Sequence, residues 1–404
     1  MKPVALLPLL FRAKQCVIVG DEDQMPPIVF FSARGSNDTT PDGDEDSSYD
    51  FCKSALSLAL ENERFLVREL VCHYRSATES LIAFSQGRFY PNMRTFPAVV
   101  PRKEGELGFA SVYVADAEFK DNINEKEATA VIRCLKKHFD SFYDDATGKL
   151  KKSVGVVAFN QKQIDYIERR IGSSEQGLYN KMIRACNVSG DVPEKTVFFK
   201  TVLTVQGQEA DHLILAMTYV TPGRFGELNK SSYGINIFNV AVTRAREQLT
   251  LIHSIRAYEI TNPKLDFLKE YIELAERFGE ERGASQFEHD DVGDGFVRNV
   301  ADALEKFGIA HDRIVTGYGV TRGSVRIPIV VLSEDKNRAL FGIMCETDVG
   351  KKYHYSDYNV LYRDILEERG WKLYRLNIAD WFDRESDMPS AMEEFVRENL
   401  GETL

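Results

Sequence analysis

Hydrophobic positions along this chain change rhythm repeatedly, and the changes predict its elements. Residues 153–159 and 211–217 run apolar over strand lengths, 107–114 alternates, and 196–203 and 248–253 add two further strands. Around them, apolar residues return every three or four positions over 125–139, 161–171 and 266–277, the spacing that gives a helix one apolar face. Strands separated by helices predict an α/β fold with a parallel, doubly wound sheet. Earlier in the chain we expect a short buried strand at 15–19 and a helix at 51–60. A strand at 65–70 and a helix carrying Leu81, Ile82, Phe84 and Phe89, capped by Ser76, should follow. A polar run over 279–294, rich in Glu, Gly and Asp, reads as a linker. Beyond it the pattern predicts a smaller α/β unit: a helix at 296–307, strands at 313–320, 325–332 and 339–345, a helix at 358–369 and a strand at 372–377.

Composition narrows the class. With 404 residues the chain is long enough for two or three domains, and 43% hydrophobic with 28% charged residues describes an ordinary globular protein. The net charge of −11 excludes a chain that coats nucleic acid indiscriminately, so any such contact must use a local basic groove. Six scattered cysteines without a Cys-x-x-Cys pair predict reduced thiols, a cytoplasmic setting and no zinc site. The apolar start, residues 4–11, is broken by Pro8 and followed by Arg12 and Lys14, unlike a secretory signal, and no stretch reaches the ~18 apolar residues of a membrane span. Residues 33–50, crowded with Asp and Glu among Gly, Ser, Thr and Pro, read as a solvated loop.

The stretch that changes the picture is Val17-Ile18-Val19-Gly20-Asp21-Glu22-Asp23-Gln24-Met25-Pro26-Pro27. A β-branched run breaking into Gly-Asp presents Asp21 and Gln24 at the end of a strand, where open α/β sheets bind ligands. The stretch resembles the third motif of superfamily 1 helicases, with Met25 in place of Leu. Three more segments stand in that family's order: His73-Tyr74-Arg75-Ser76, Thr204-Val205-Gln206-Gly207-Gln208-Glu209-Ala210-Asp211, and Asn239-Val240-Ala241-Val242-Thr243-Arg244-Ala245-Arg246. The resemblance implies a RecA-like fold of the P-loop NTPase type, the group being that of the nonsense-mediated-decay helicase. Phosphoryl transfer needs positive charge on the breaking γ-phosphate, which an arginine fork supplies. By resemblance Arg75 and Arg244 are the arginine fingers, Gln24 senses the γ-phosphate, and Glu209 couples nucleotide to strand movement. Asp21, Gly207 and Arg246 line the nucleotide side, Arg246 reading equally as a structural ion pair. His73, Asn160, Thr204 and Gln206 stand where the family contacts the nucleic-acid backbone. The 219–233 loop adds Arg224, Phe225, Lys230 and Tyr233, although a solvated loop is its simpler reading.

A helicase of this kind also needs Gly-x-x-x-x-Gly-Lys-Ser/Thr to cradle phosphates and an Asp-Glu strand for magnesium, and the chain contains no such P-loop. The expectation is a carboxyl-terminal part of a helicase. Residues 1–60 would be a remnant of the first RecA-like domain, 61–280 the second, 281–293 a linker, and 294–404 a further domain. ATP and Mg²⁺ would serve the full-length protein and not this part alone. Its partners would be single-stranded nucleic acid, DNA ahead of RNA, and the missing amino-terminal helicase domain. Residues 326–330, 340–346, 353–356 and 370–382 resemble the very-short-patch-repair type of PD-(D/E)XK nuclease, a restriction-endonuclease-like fold. The related nucleases carry Asp where this chain has Pro328 and Glu where it has Met344, leaving Glu346 as the remaining candidate ligand. A hard cation needs at least two such oxygens, so cleavage is expected to be lost. The whole protein would translocate on nucleic acid in DNA repair or defence. Rival readings are a non-enzymatic nucleic-acid-binding or assembly module, and an active nuclease using Glu346 with an acid near Glu305.

Overall fold

The computed structural model describes residues 3–25, 54–99, 108–188, 196–226, 228, 234–280, 295–319, 321–336, 338–345, 357–383 and 387–401. The first elements are helices α1 (Pro3–Leu10), α2 (Ala55–Leu60) and α3 (Ser80–Arg88). A sheet then builds from β1 (Gly108–Tyr113), β2 (Val154–Ala158), β3 (Val197–Thr201), β4 (Ala210–Ala216) and β5 (Ala245–His253). Between its strands run α4 (Glu125–Phe142), α5 (Gln161–Ser174), α6 (Gln176–Val188) and α7 (Gly234–Val242), and α8 (Asp266–Glu280) follows.

The strand order is β1-β5-β4-β2-β3, and every pairing is parallel. Side chains that alternate along each strand feed two cores. Val157, Leu213, Leu215, Leu249 and Leu251 pack on α3, α7 and α8, while Val154, Val156, Ala158, Ile214, Ala216 and Ile252 pack on α4, α5 and α6. Burial on both faces is why these strands read as unbroken apolar runs. The result is the RecA-like, doubly wound sheet of a P-loop NTPase domain.

At the carboxyl ends of β4 and β5 lies a closed polar network. Glu127, fully buried in the first turn of α4, accepts hydrogen bonds from Thr218 N and Ser254 Oγ, each at 2.6 Å. Asn124 caps α4 and donates to Thr218 O and Ser254 Oγ. Burial lifts the Glu127 carboxyl to about 8, against the pull of its two hydrogen bonds. A carboxyl held above its unfolded value of about 4.5 contributes stability that is present below that value and lost as pH rises through about 8. Thermal denaturation between about pH 5 and about pH 8 is therefore expected to show a falling midpoint that Glu127→Gln flattens. An unchanged slope in the variant would assign the fall to other groups.

The carboxyl-terminal unit opens with α9 (Gly295–Lys306) and a second sheet, β6 (Ile314–Tyr318), β7 (Ile327–Leu332), β8 (Ala339–Cys345) and β9 (Leu373–Leu376). Its first three strands form an antiparallel meander and β9 joins parallel to β8. A π-helical turn (Asp357–Leu361) runs into α10 (Tyr362–Glu368), and α11 (Ile378–Phe382) and α12 (Ser390–Gly401) complete it. One sheet face, with Ile329, Val331, Phe341, Ile343 and Cys345, packs on α9 and α12. The other, with Val330, Leu332 and Met344, packs on α10 and on Phe96 from the first unit. Pro328 is buried, and the register that pairs Ile329 with Ile343 sets it opposite Met344.

The expected strands at 15–19 and 65–70 are irregular chain without a ladder. They leave Val17 80% and Leu70 86% exposed, because among the described residues no strand lies beside them. Ser76 does not cap α3, which has Glu79 at its cap position with no side-chain cap bond; its hydroxyl is turned to His73. The acidic 33–50 loop, Pro26-Pro27, Lys230, Tyr233, the 281–293 linker, Glu346 and residues 353–356 lie outside the described residues.

Candidate functional site

The arginines of two separate sequence segments meet at the amino ends of β4 and β5. Backbone bonds set the place: Ala210 N donates to Arg244 O at 3.1 Å, and Ala77 N donates to Arg246 O at 2.7 Å. The turn bearing Arg75 is thereby tied to the start of β5. Arg75 pairs with Glu209 at 2.9 Å and keeps 41% of its side chain in solvent. Arg244, just past the end of α7, is only 5% exposed; its Nε donates to Val240 O at 2.7 Å and its Nη2 to Thr243 Oγ1 at 3.1 Å. Burial and the nearby Arg75 pull the Arg244 pKa down, opposed by Glu209. Two guanidinium groups thus share one neighbourhood with a single partly exposed carboxylate between them, an arrangement relieved by an incoming anion. Arg246 pairs with Asp211 at 3.6 Å, and Asp211 accepts from both Ser153 N and Ser153 Oγ at 2.8 Å. Of its two readings from the sequence, this geometry favours the ion pair.

The 21–24 loop is fixed to the same region by side chains whose part the sequence did not reveal. Asp21 accepts from Asp23 N at 2.9 Å, Gln24 Nε2 at 2.8 Å and Tyr90 Oη at 2.7 Å. Asn239 of α7, almost fully buried, donates to Asp23 O at 2.9 Å and accepts from Ser85 Oγ at 2.7 Å. Asn236, one turn earlier, donates to Glu22 O at 2.9 Å. Tyr90 is held protonated by burial and by its bond to Asp21, and its hydroxyl also accepts from Asn239 Nδ2 at 3.0 Å, which ties the loop to α7. Two asparagines inside the apolar run Gly-Ile-Asn-Ile-Phe-Asn-Val-Ala-Val were the available signal.

His73 closes its own turn: Nε2 accepts from Ser76 N at 3.2 Å and lies 2.9 Å from Ser76 Oγ. Burial, Arg369 and Arg75 lower its pKa from 6.5 to about 4, so it is neutral at physiological pH. Asn160 and Thr204 stand at the other end of the sheet, just beyond the paired strand ends Ala158 and Thr201. Asn160 caps α5 through Gln163 N at 2.8 Å, and its Nδ2 is buried without a hydrogen-bond partner. Thr204 Oγ1 accepts from Thr201 N at 3.0 Å, and Gln206 and Gly207 are exposed. Gly207 takes φ +84°, a left-handed conformation suited to glycine. The helix-free connection 202–209 therefore runs from the carboxyl end of β3 to the amino end of β4, with Val205 fully buried midway. The structure gathers Arg75, Glu209, Arg244, Asp211 and Arg246 with the 21–24 loop, and places Asn160 and Thr204 at the opposite strand ends.

Among the described residues, no group of three or more His, Cys, Asp or Glu side chains could hold a metal ion, and no helix is long and apolar enough to cross a membrane. The chain is 32% identical over 253 residues to the uncharacterized ATP-dependent helicase MG140 of Mycoplasma genitalium, which covers 62% of this chain and 22% of that protein. It is 29% identical over 287 residues to the homolog of that helicase in Mycoplasma pneumoniae, covering 69% of this chain and 25% of that protein. The chain thus spans between a fifth and a quarter of the length of these curated relatives. The solved C-terminal domain of a possible DNA helicase from Lactobacillus plantarum aligns with 49% of this chain and 96% of its own at 12% identity. Its TM-score of 0.28 is too low to bear on the fold. Residues 53–256, half of the sequence and nearly all of the first sheet with its helices, match the AAA domain family. By that match the chain belongs to the AAA domain family.

Proposed function

We propose that this chain is the second motor domain of an ATP-dependent superfamily 1 helicase, acting on a nucleotide whose phosphates are cradled by a P-loop in another domain. The observation that carries this reading is the Arg75–Glu209–Arg244 group beside the 21–24 loop. As charge spreads over the γ-phosphoryl oxygens, Arg75 leaves Glu209 for the phosphate and Arg244, already desolvated and anchored on Val240 O, completes the clamp. Gln24, oriented through Asp21, is placed to hold the attacking water. ATP would be the substrate, and its Mg²⁺ would be supplied with it and held by residues outside this group. The exposed apolar side chains Phe11, Val17, Val19, Leu66 and Leu70 support a domain packed against this side. At the far end of the sheet Asn160, Thr204 and Gln206 would meet a single nucleic-acid strand, while His73 contributes the shape of its turn. The antiparallel meander and parallel fourth strand of the carboxyl-terminal unit support the nuclease-like reading of its sequence, but positions 328 and 344 hold a buried Pro and a buried Met, so we assign it no cleavage.

A coupled ATPase assay with single-stranded DNA or RNA tests the reading. This chain by itself is expected to turn over no ATP above background, since positioning by P-loop and magnesium supplies most of the rate. Turnover on the order of 1 per second, lost in Arg244→Ala, would sink it.

A further inference from the structure

The carboxyl-terminal unit touches the segment that carries Arg75, through backbone and side chain at once. Arg94 N donates to Val71 O, and His73 N donates to Arg94 O at 2.8 Å. One residue on, Thr95 N donates to Gly323 O at 3.0 Å and Val325 N to Thr95 O at 2.8 Å. Residues 71–73, 94–95 and 323–325 are therefore stitched side by side. Phe96, 1% exposed, is buried with Tyr362, Trp371 and Met344, and Trp371 Nε1 donates to Pro97 O at 2.8 Å. Such a buried, hydrogen-bonded seam fixes the two units in register.

One guanidinium completes the seam at the functional turn. Arg369 follows α10, where Gly370 at φ +91° ends the helix. Its Nη1 donates to Phe96 O at 3.0 Å and its Nη2 to Tyr74 O at 3.1 Å. Tyr74 O belongs to the peptide group whose N–H is that of Arg75. We propose that Arg369 is a positioning residue for Arg75, so that the carboxyl-terminal unit serves the motor site as a brace that sets the orientation of its exposed arginine. The proposal rests on the phosphate-facing role given to Arg75 above. Only a rigid fork spans two carbonyls on separate stretches of chain, and lysine does not reproduce it. The face through which the brace acts holds Met344 and lies against Phe96.

Hydrogen exchange and histidine titration decide the matter on the full chain. Arg369→Ala is expected to speed exchange at the Ser76 and Ala77 amides about tenfold or more, since both are bonded within or from this turn. It is also expected to raise the His73 midpoint from about 4 toward 6.5, because a facing positive charge is gone. Arg369→Lys separates charge from geometry: the His73 midpoint returns toward that of the parent while exchange stays fast. Gly323→Val is the second route, since a Cβ there would meet Met93 O at 2.2 Å and part the seam with Arg369 intact. It should reproduce the fast exchange. Both tryptophans, Trp371 and Trp381, lie in the carboxyl-terminal unit, so their fluorescence reports whether that unit stays folded. Unchanged exchange and an unmoved His73 in Arg369→Ala overturn the proposal. Titration with inorganic tripolyphosphate judges the underlying reading separately. If Arg75→Ala and Arg244→Ala leave its affinity unchanged, the phosphate role falls while the exchange result still stands for or against the brace.

Discussion

A motor assembled from this chain and a P-loop domain is expected to lose about 10³-fold or more in ATP turnover when Arg244 becomes alanine, the effect of removing an arginine from a phosphoryl-transfer site. The size follows from where the charge sits. Arg244 is buried and already bonded to Val240 O, so its charge is desolvated and oriented before the phosphate arrives. Stability should move far less, by about 1–2 kcal/mol for two lost hydrogen bonds. Lysine at 244 should rescue poorly, because it cannot keep the Nε bond to Val240 O and still present a fork. Phosphate release under saturating ATP measures this. A loss under tenfold with an intact fold would remove Arg244 from the clamp.

Met344→Glu is expected to destabilise the carboxyl-terminal unit by about 2–4 kcal/mol, the cost of desolvating a carboxylate in a mostly apolar interior. Met344 is 5% exposed among Phe96, Tyr362, Trp371 and Val330, and its register neighbour on β9 is Arg375, which offsets part of the cost of a carboxylate there. Adding Pro328→Asp sets a second acid opposite the first and makes matters worse. Urea denaturation followed by tryptophan fluorescence reads the loss. Unchanged stability together with sub-millimolar Mn²⁺ binding would show that the face can still hold a metal.

The parts of this molecule that were legible in its sequence are those whose periodicity reports burial directly. Each of β1 to β5, together with α4, α5 and α8, appears where the apolar rhythm changes, because one face or both faces of each element are covered. The amphipathic α6 and α12 went unread although their spacing was there to see. α7 was hidden for a different reason. It is buried nearly all round, so it shows no polar face and no helical period. At the site, the motifs brought Arg75, Glu209 and Arg244 forward, and the structure gathers them. Tyr90, Asn236 and Arg369 stayed invisible because each acts through a backbone carbonyl or a carboxylate brought near only by folding. The 15–19 and 65–70 stretches carry strand residues but, among the described residues, no neighbouring strand, and propensity alone makes no ladder.

The connection between β3 and β4 has a mechanical consequence. Parallel register puts Thr201 level with Ala158 and Ala216, so the chain must travel back along about six residues of rise and across two strand spacings to reach Ala210. That is roughly 22 Å, against a full reach of about 31 Å for nine peptide units. Little slack remains, and Val205, sunk in the core, serves as a fulcrum between the two exposed arms. A push on the arm bearing Thr204 would tilt the span about that point and withdraw or present Glu209. The grip of Glu209 on Arg75 would then be a quantity set by load on the far side of the sheet.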